Sequence, residues 1–121
     1  MCRLFIGASS DLWESRTHSL RIDGVATSVR MEAFFWEILG RIARRDKLTV
    51  NQLITRLYHE SLDADHDVGN FTSLLRVCCG RYLDLLARCE IPNEEHLPLG
   101  AVDAESILKR EAERRRLQST D

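Results

Sequence analysis

Thr27-Ser28-Val29-Arg30-Met31-Glu32-Ala33-Phe34-Phe35-Trp36-Glu37-Ile38-Leu39, residues 27–39, changes its hydrophobic period at Glu32. Up to that point the side chains alternate as on a strand, with Thr27, Val29 and Met31 on one face and Ala26, Ser28 and Arg30 on the other. Beyond it, Phe34, Phe35, Ile38, Leu39, Ile42 and Ala43 recur at helical spacing, which predicts an amphipathic helix running to about Arg45. The strand is apolar on one face only, so its other face is free to meet solvent or a ligand.

Upstream, His18–Ile22 and Val25–Met31 flank Asp23-Gly24, a pair favoured in type I′ turns, and together they predict a hairpin. Downstream, Asp46-Lys47 makes a turn before a second helix with three coincident start signals. Thr49 caps, Gln52 completes a capping box, and Leu48 with Leu53 forms a hydrophobic staple. The stripe Val50, Leu53, Ile54, Leu57 and Tyr58 continues that helix until it fades by Leu62, ahead of a polar loop from Asp63 to Gly69. Asn70 is expected to cap a third helix with the stripe Phe71, Leu74, Leu75, Cys78, Tyr82, Leu85, Leu86 and Cys89, and Pro92 to stop it. Past Pro98 the charges balance and Glu111 with Arg115 forms an i,i+4 pair, the pattern of a frayed helix that orders with a partner. The expected organisation is an arm over residues 1–15, a strand-and-helices unit with its leading hairpin over 16–62, a further helix over 70–91, and a charged, partly disordered tail over 92–121.

With 121 residues, 44% of them hydrophobic, the chain is long enough for one modest core. No apolar run approaches the ~20 residues of a membrane span, and the Met1–Gly7 start reads as no signal peptide. Cys2, Cys78, Cys79 and Cys89 form no C-x-x-C pair, so the expectation is reduced thiols in the cytoplasm. The net charge of −2 conceals a polarity, because residues 16–56 carry +4 and residues 57–100 carry −5. A polyanion-facing end followed by a different second face fits that distribution, as does ordinary surface variation.

A short strand with one apolar face needs cover for its edge and for its side chains. A second copy of the chain, pairing strand to strand above interlocked helices, would bury Val29, Met31, Phe35, Leu39, Val50 and Ile54 and leave Ser28 and Arg30 projecting from a ribbon. A two-stranded ribbon fits the DNA major groove, where Arg reads guanine and Ser adapts. At this point the chain resembles the ribbon-helix-helix family of DNA-binding proteins, the fold of the Arc and methionine repressors. Thr27 to Glu32, Phe35 to Leu39 with Ile42-Ala43, and Leu48 to Ile54 carry the resemblance. More narrowly, it is similar to a bacterial subgroup with a Thr-Ser-Ile/Val-Arg-Leu-Glu strand, which the Met-Cys-Arg start and Asn70 to Arg76 also resemble.

The resemblance implies a mainly α fold with a short β-ribbon, built as an intertwined homodimer, here with an additional C-terminal helix. It also implies that Arg30 and Ser28 contact bases in double-stranded DNA, while Ala26 offers only apolar contact, supplemented by Arg21 across the hairpin. The amide groups of Val50 and Asn51 behind the Thr49 cap match the family's phosphate site, with Lys47 and Arg45 as electrostatic support. The leading hairpin is a departure that would either widen the sheet or obstruct its groove face.

Other features read more plainly. Asp63-Ala64-Asp65-His66-Asp67 starts like a calcium loop but has Val68 for the glycine and Leu74 for the bidentate glutamate, leaving a solvated acidic loop with, at most, opportunistic metal binding through His66. Cys2 after Met1 is the arrangement of amidotransferases with an N-terminal nucleophile, but the chain has too little strand sequence for their layered sandwich. Cys78 and Cys79 read as packing residues or, more weakly, as a thiol sensor near Arg76 and Arg81. Trp36 and Phe34 belong to the core or a dimer contact. The expected function is sequence-specific DNA binding by a homodimeric repressor-like regulator with no enzymatic activity, metal, cofactor or membrane partner. The rival is a protein-interaction module, an antitoxin or adaptor, whose partner binds the C-terminal helix and tail.

Overall fold

Asp23 and Gly24 take φ values of 55° and 81°, the left-handed pair a type I′ turn requires. The turn joins β1 (Ser15–Ile22) to β2 (Val25–Glu32) in an antiparallel, two-stranded sheet. The computed structural model describes residues 2–119, apart from the side chain of Cys2. A short helix α1 (Cys2–Ile6) and a 3-10 turn (Ser10–Trp13) precede the hairpin, and α2 (Ala33–Arg45), α3 (Val50–Asp63), α4 (Phe71–Ala87) and α5 (Ala104–Gln118) follow it.

β1 begins three residues before the predicted strand because tertiary bonds hold its polar start. Ala33 N–H donates to Glu14 O at 2.8 Å, and Trp36 Nε1 donates to Arg16 O at 3.0 Å. The His18 ring stacks on Trp36, with centroids 3.7 Å apart. Leu20, Ile22, Val29 and Met31 are buried beneath the sheet. They join Trp36, Leu39 and Ala43 of α2, Leu53 and Ile54 of α3, and Leu75, Cys79, Tyr82 and Leu85 of α4 in one core.

That core corrects the expectation that a second copy must cover the strand. Pairing for one edge of β2 comes from β1, and apolar cover comes from the chain's own helices, so Val29, Met31, Leu39 and Ile54 are buried within a single chain. Phe35 and Val50 are only partly buried, Trp36 belongs to the core, and Phe34 is exposed.

Three helices end the same way. After α2, α3 and α4 the chain enters the left-handed region at Lys47 (φ 57°), Asp65 (61°) and Cys89 (59°). Paired amides close each end on carbonyls of the last turn: Lys47 to Arg44 and Leu48 to Ala43, Asp65 to Leu62 and His66 to Ser61, Cys89 to Leu86 and Glu90 to Leu85. This is the Schellman motif, built without its usual glycine. α4 therefore stops at Ala87 rather than at Pro92, and Cys89 leaves the helical stripe. Its start differs as well. Asp67 accepts from the Gly69 amide to begin a 3-10 turn, and Asn70 makes no side-chain cap.

Residues 92–103 return across the ends of α2 and α4 to α5. Arg45, expected as support for a phosphate site, is instead buried, with Nε donating to Leu97 O and Nη1 to Pro92 O, each at 2.9 Å. The neighbouring Asp46 carboxylate accepts the Leu99 amide at 2.7 Å. α5 is capped by Asp103, inserts Ile107 into the core, and is ion-paired through Glu111 to Arg81 of α4 rather than to Arg115. Arg110 adds a pair with Glu90. Among the described residues no helix is long and apolar enough to cross a membrane.

Candidate nucleic-acid interface

The strand period that buries Val29 and Met31 turns Ala26, Ser28 and Arg30 outward, and all three are exposed. The two-residue turn then decides their neighbours: Arg21 lies opposite Ala26, Ser19 opposite Ser28, and Thr17 opposite Arg30. Cross-strand partners share a face, so six exposed residues form one polar surface with an arginine towards each end. Arg21 donates from Nη1 to Gly24 O at 3.0 Å, which holds its guanidinium near the turn. β1 therefore widens the sheet sideways and leaves the outward face open.

The hairpin is held at both ends. At the turn, Asp23 accepts His59 Nε2 of α3 at 3.0 Å. At the junction with α2, Glu32 receives Arg76 in a two-point pair at 2.9 and 3.3 Å. The Arg76 guanidinium holds the Glu32 carboxyl below the usual glutamate range.

The capping box forms as expected, with Gln52 N–H donating to Thr49 Oγ1 at 3.1 Å and Thr49 N–H to Gln52 Oε1 at 2.9 Å. The amides of Val50 and Asn51 have no acceptor among the described residues, and Thr49, Asn51 and Lys47 are exposed. Such a helix start favours an anion. Between it and the hairpin lies a cleft of about 560 Å³ whose lining includes Arg21, Asn51, Gln52, Arg56 and His59. The fold thus brings Arg21 together with the start of α3, which sequence separation conceals.

Thr17 and Ser19 went unremarked in the sequence, and Arg56 counted only toward the positive charge of residues 16–56. The first two were accessible to reasoning, because an Asp-Gly turn of two residues assigns every cross-strand partner once it is recognised. Arg56 carried no local signal.

The profile described as "Ribbon-helix-helix domain" matches residues 15–83, from the first residue of β1 into α4. The chain belongs to the ribbon-helix-helix family. Among solved structures it is similar to an uncharacterized protein from Bordetella pertussis Tohama I, at 46% identity and a TM-score of 0.84, covering 88% of this chain and 86% of that one. No curated protein matches it. In this ribbon-helix-helix protein the hairpin and most of α4 lie inside the matched segment, so the additional strand is part of the family pattern found here.

The remaining reactive groups lie apart from this surface. Burial pushes the Cys79 thiol up to about 12 and raises Cys78 as well, which keeps both protonated at neutral pH. In the acidic loop, Asp67 is used by the Gly69 amide, and among the described residues no group of three or more His, Cys, Asp or Glu gathers to hold a metal.

Proposed function

We propose that this protein binds double-stranded DNA sequence-specifically as a homodimer and acts as a repressor-like transcriptional regulator in the cytoplasm, with no enzymatic step or cofactor. The observation that carries the reading is the division of the hairpin into a buried apolar face and an exposed polar one bearing Ser28 and Arg30. Arg30 and Ser28 contact base edges, with Ala26 giving apolar contact and Arg21 a second guanidinium. Thr49, Val50 and Asn51 receive a phosphate at the start of α3, and Lys47 adds charge there.

Arg30→Ala tests the assignment directly, because the side chain is exposed and its loss leaves the core intact. The expected outcome is binding to a preferred duplex weakened about 10- to 100-fold, with an unchanged thermal melt. Equal affinity of the variant and the wild type across a salt series would overturn Arg30 as a reader.

A second reading, an antitoxin-like or adaptor module, draws on α5, where Leu108 and Leu117 are exposed on a helix pinned to the body by ion pairs. Removal of residues 104–121 with full retention of DNA affinity would show that this helix takes no part in DNA binding, and a protein partner lost with it would then support this second reading.

A further inference from the structure

Resting on the DNA reading above, we propose that Arg45 and Asp46 are positioning residues for the phosphate contact, fastening the turn between α2 and α3 to residues 92–99 so that the start of α3 is held in place before DNA arrives. That turn is short. Asp46, Lys47 and Leu48 are the whole of the chain between the last residue of α2 and the Thr49 cap, and Lys47 sits at φ 57°, where a Cβ carries steric cost. A non-glycine residue keeps such a conformation only where its surroundings enforce it. On one side the amides of Lys47 and Leu48 do so by closing onto Arg44 O and Ala43 O. On the other, the two residues before Lys47 reach out to a single distant stretch: Arg45 donates to Pro92 O and Leu97 O, and Asp46 accepts the Leu99 amide at 2.7 Å.

Neither side chain suits its place for a local reason. Arg45 is buried, yet its acceptors are two carbonyls and, at 3.5 Å, the Tyr82 hydroxyl, rather than a carboxylate. Its Nη2 meets no acceptor among the described residues. A buried guanidinium without a paired charge is costly, and an apolar side chain would fill the space at less cost. What arginine supplies is a pair of directed donors that reach from the end of α2 to two carbonyls at once. Asp46 carries the wrong charge on two counts. A carboxylate at the end of α2 opposes that helix's dipole, and one placed three residues before Thr49 adds negative charge to the approach of a phosphate. Its short, charge-assisted bond to the Leu99 amide accounts for it.

The far end of the tether is itself fixed. Leu99 packs against the core, Asp103 caps α5, and Glu111 of α5 pairs with Arg81 of α4. The matched family segment ends at residue 83. The tether therefore joins the DNA-facing helices to chain beyond that segment, and residues 92–99 become a determinant of phosphate binding without touching DNA.

The test compares Asp46→Ala with Asp46→Asn in the full-length protein. Both remove the carboxylate charge, and only asparagine keeps an oxygen for the Leu99 amide. Binding is measured across a salt series to a duplex enriched by the wild type from a random-sequence pool, at a temperature where circular dichroism shows every variant folded. Asp46→Ala is expected to bind roughly 5- to 10-fold more weakly than Asp46→Asn. Its plot of log affinity against log salt should be shallower by about one to two, as phosphate contacts loosen in both protomers. Without DNA, the nuclear magnetic resonance signals of the Val50 and Asn51 amides should move in Asp46→Ala and hold in Asp46→Asn. If both variants bind more tightly than the wild type and to the same degree, with parallel salt plots, Asp46 acts only as a charge; the positioning role is then overturned while the DNA reading stands. If the folded wild type binds no duplex at low salt, the DNA reading falls and takes the positioning role with it.

Discussion

Thr49 and Gln52 cap α3 in the structure as their spacing predicts, because a capping box closes within four residues and needs nothing from the rest of the chain. Asn70 has an equally favourable composition and makes no such bond, since the 3-10 turn begun by Asp67 already shapes the start of α4. Arg45 departs furthest from its expected place. Its carbonyl acceptors at Pro92 and Leu97 lie about fifty positions along the chain, so no local pattern could announce its burial. Cys89 offers a test at this scale. A non-glycine residue at φ 59° carries steric cost from its Cβ, and this one is exposed. Cys89→Gly is expected to stabilise the protein by roughly 0.5–1 kcal/mol after the added freedom of the unfolded chain is counted. The midpoint of thermal unfolding should rise by about 2–5 °C; an unchanged or lower midpoint would show that Cys89 is not strained there.

Among the elements, the hairpin was the most legible, because Asp23-Gly24 specifies both the turn and the register that follows from it. α2 and α3 follow their apolar stripes. α5 was the least legible: Ile107 is its one buried residue, and its attachment depends on ion pairs to residues far away in sequence. Those pairs make its docking sensitive to acid. Hydrogen bonding from Arg81 lowers the Glu111 pKa and hydrogen bonding from Arg110 lowers that of Glu90, both from an ordinary value of 4.5. Because the folded values lie below the unfolded ones, the stabilisation is fully present above the ordinary value and is lost as pH falls through the folded values. Thermal melts taken from about pH 6 down to pH 3 should therefore fall less steeply for Glu111→Gln than for the wild type. Parallel curves would remove Glu111 from the acid response. Both glutamates are at least partly solvated, which keeps the effect modest.

For the whole molecule, the core of a single chain accounts for most of the burial that a second copy was expected to provide, with Phe35 and Val50 left partly exposed. Leu39, Ile54 and Met31 are fully enclosed without a partner. A dimer of this protein should therefore separate into folded monomers. On dilution, sedimentation should report a loss of mass while far-ultraviolet circular dichroism stays constant; loss of helical signal in step with dissociation would mean that folding and association are one event. Local patterning was sufficient for the strand period, the hairpin turn, the capped second helix and the polar face carrying Ser28 and Arg30, because each depends on residues within a few positions of one another. Three-dimensional packing alone assigned β2 its cover, buried Arg45, drew α5 onto α4 and placed Arg21 beside the start of α3. These outcomes depend on which surfaces meet across tens of residues, and the free energy of such meetings resides in pairs that no single window of sequence contains.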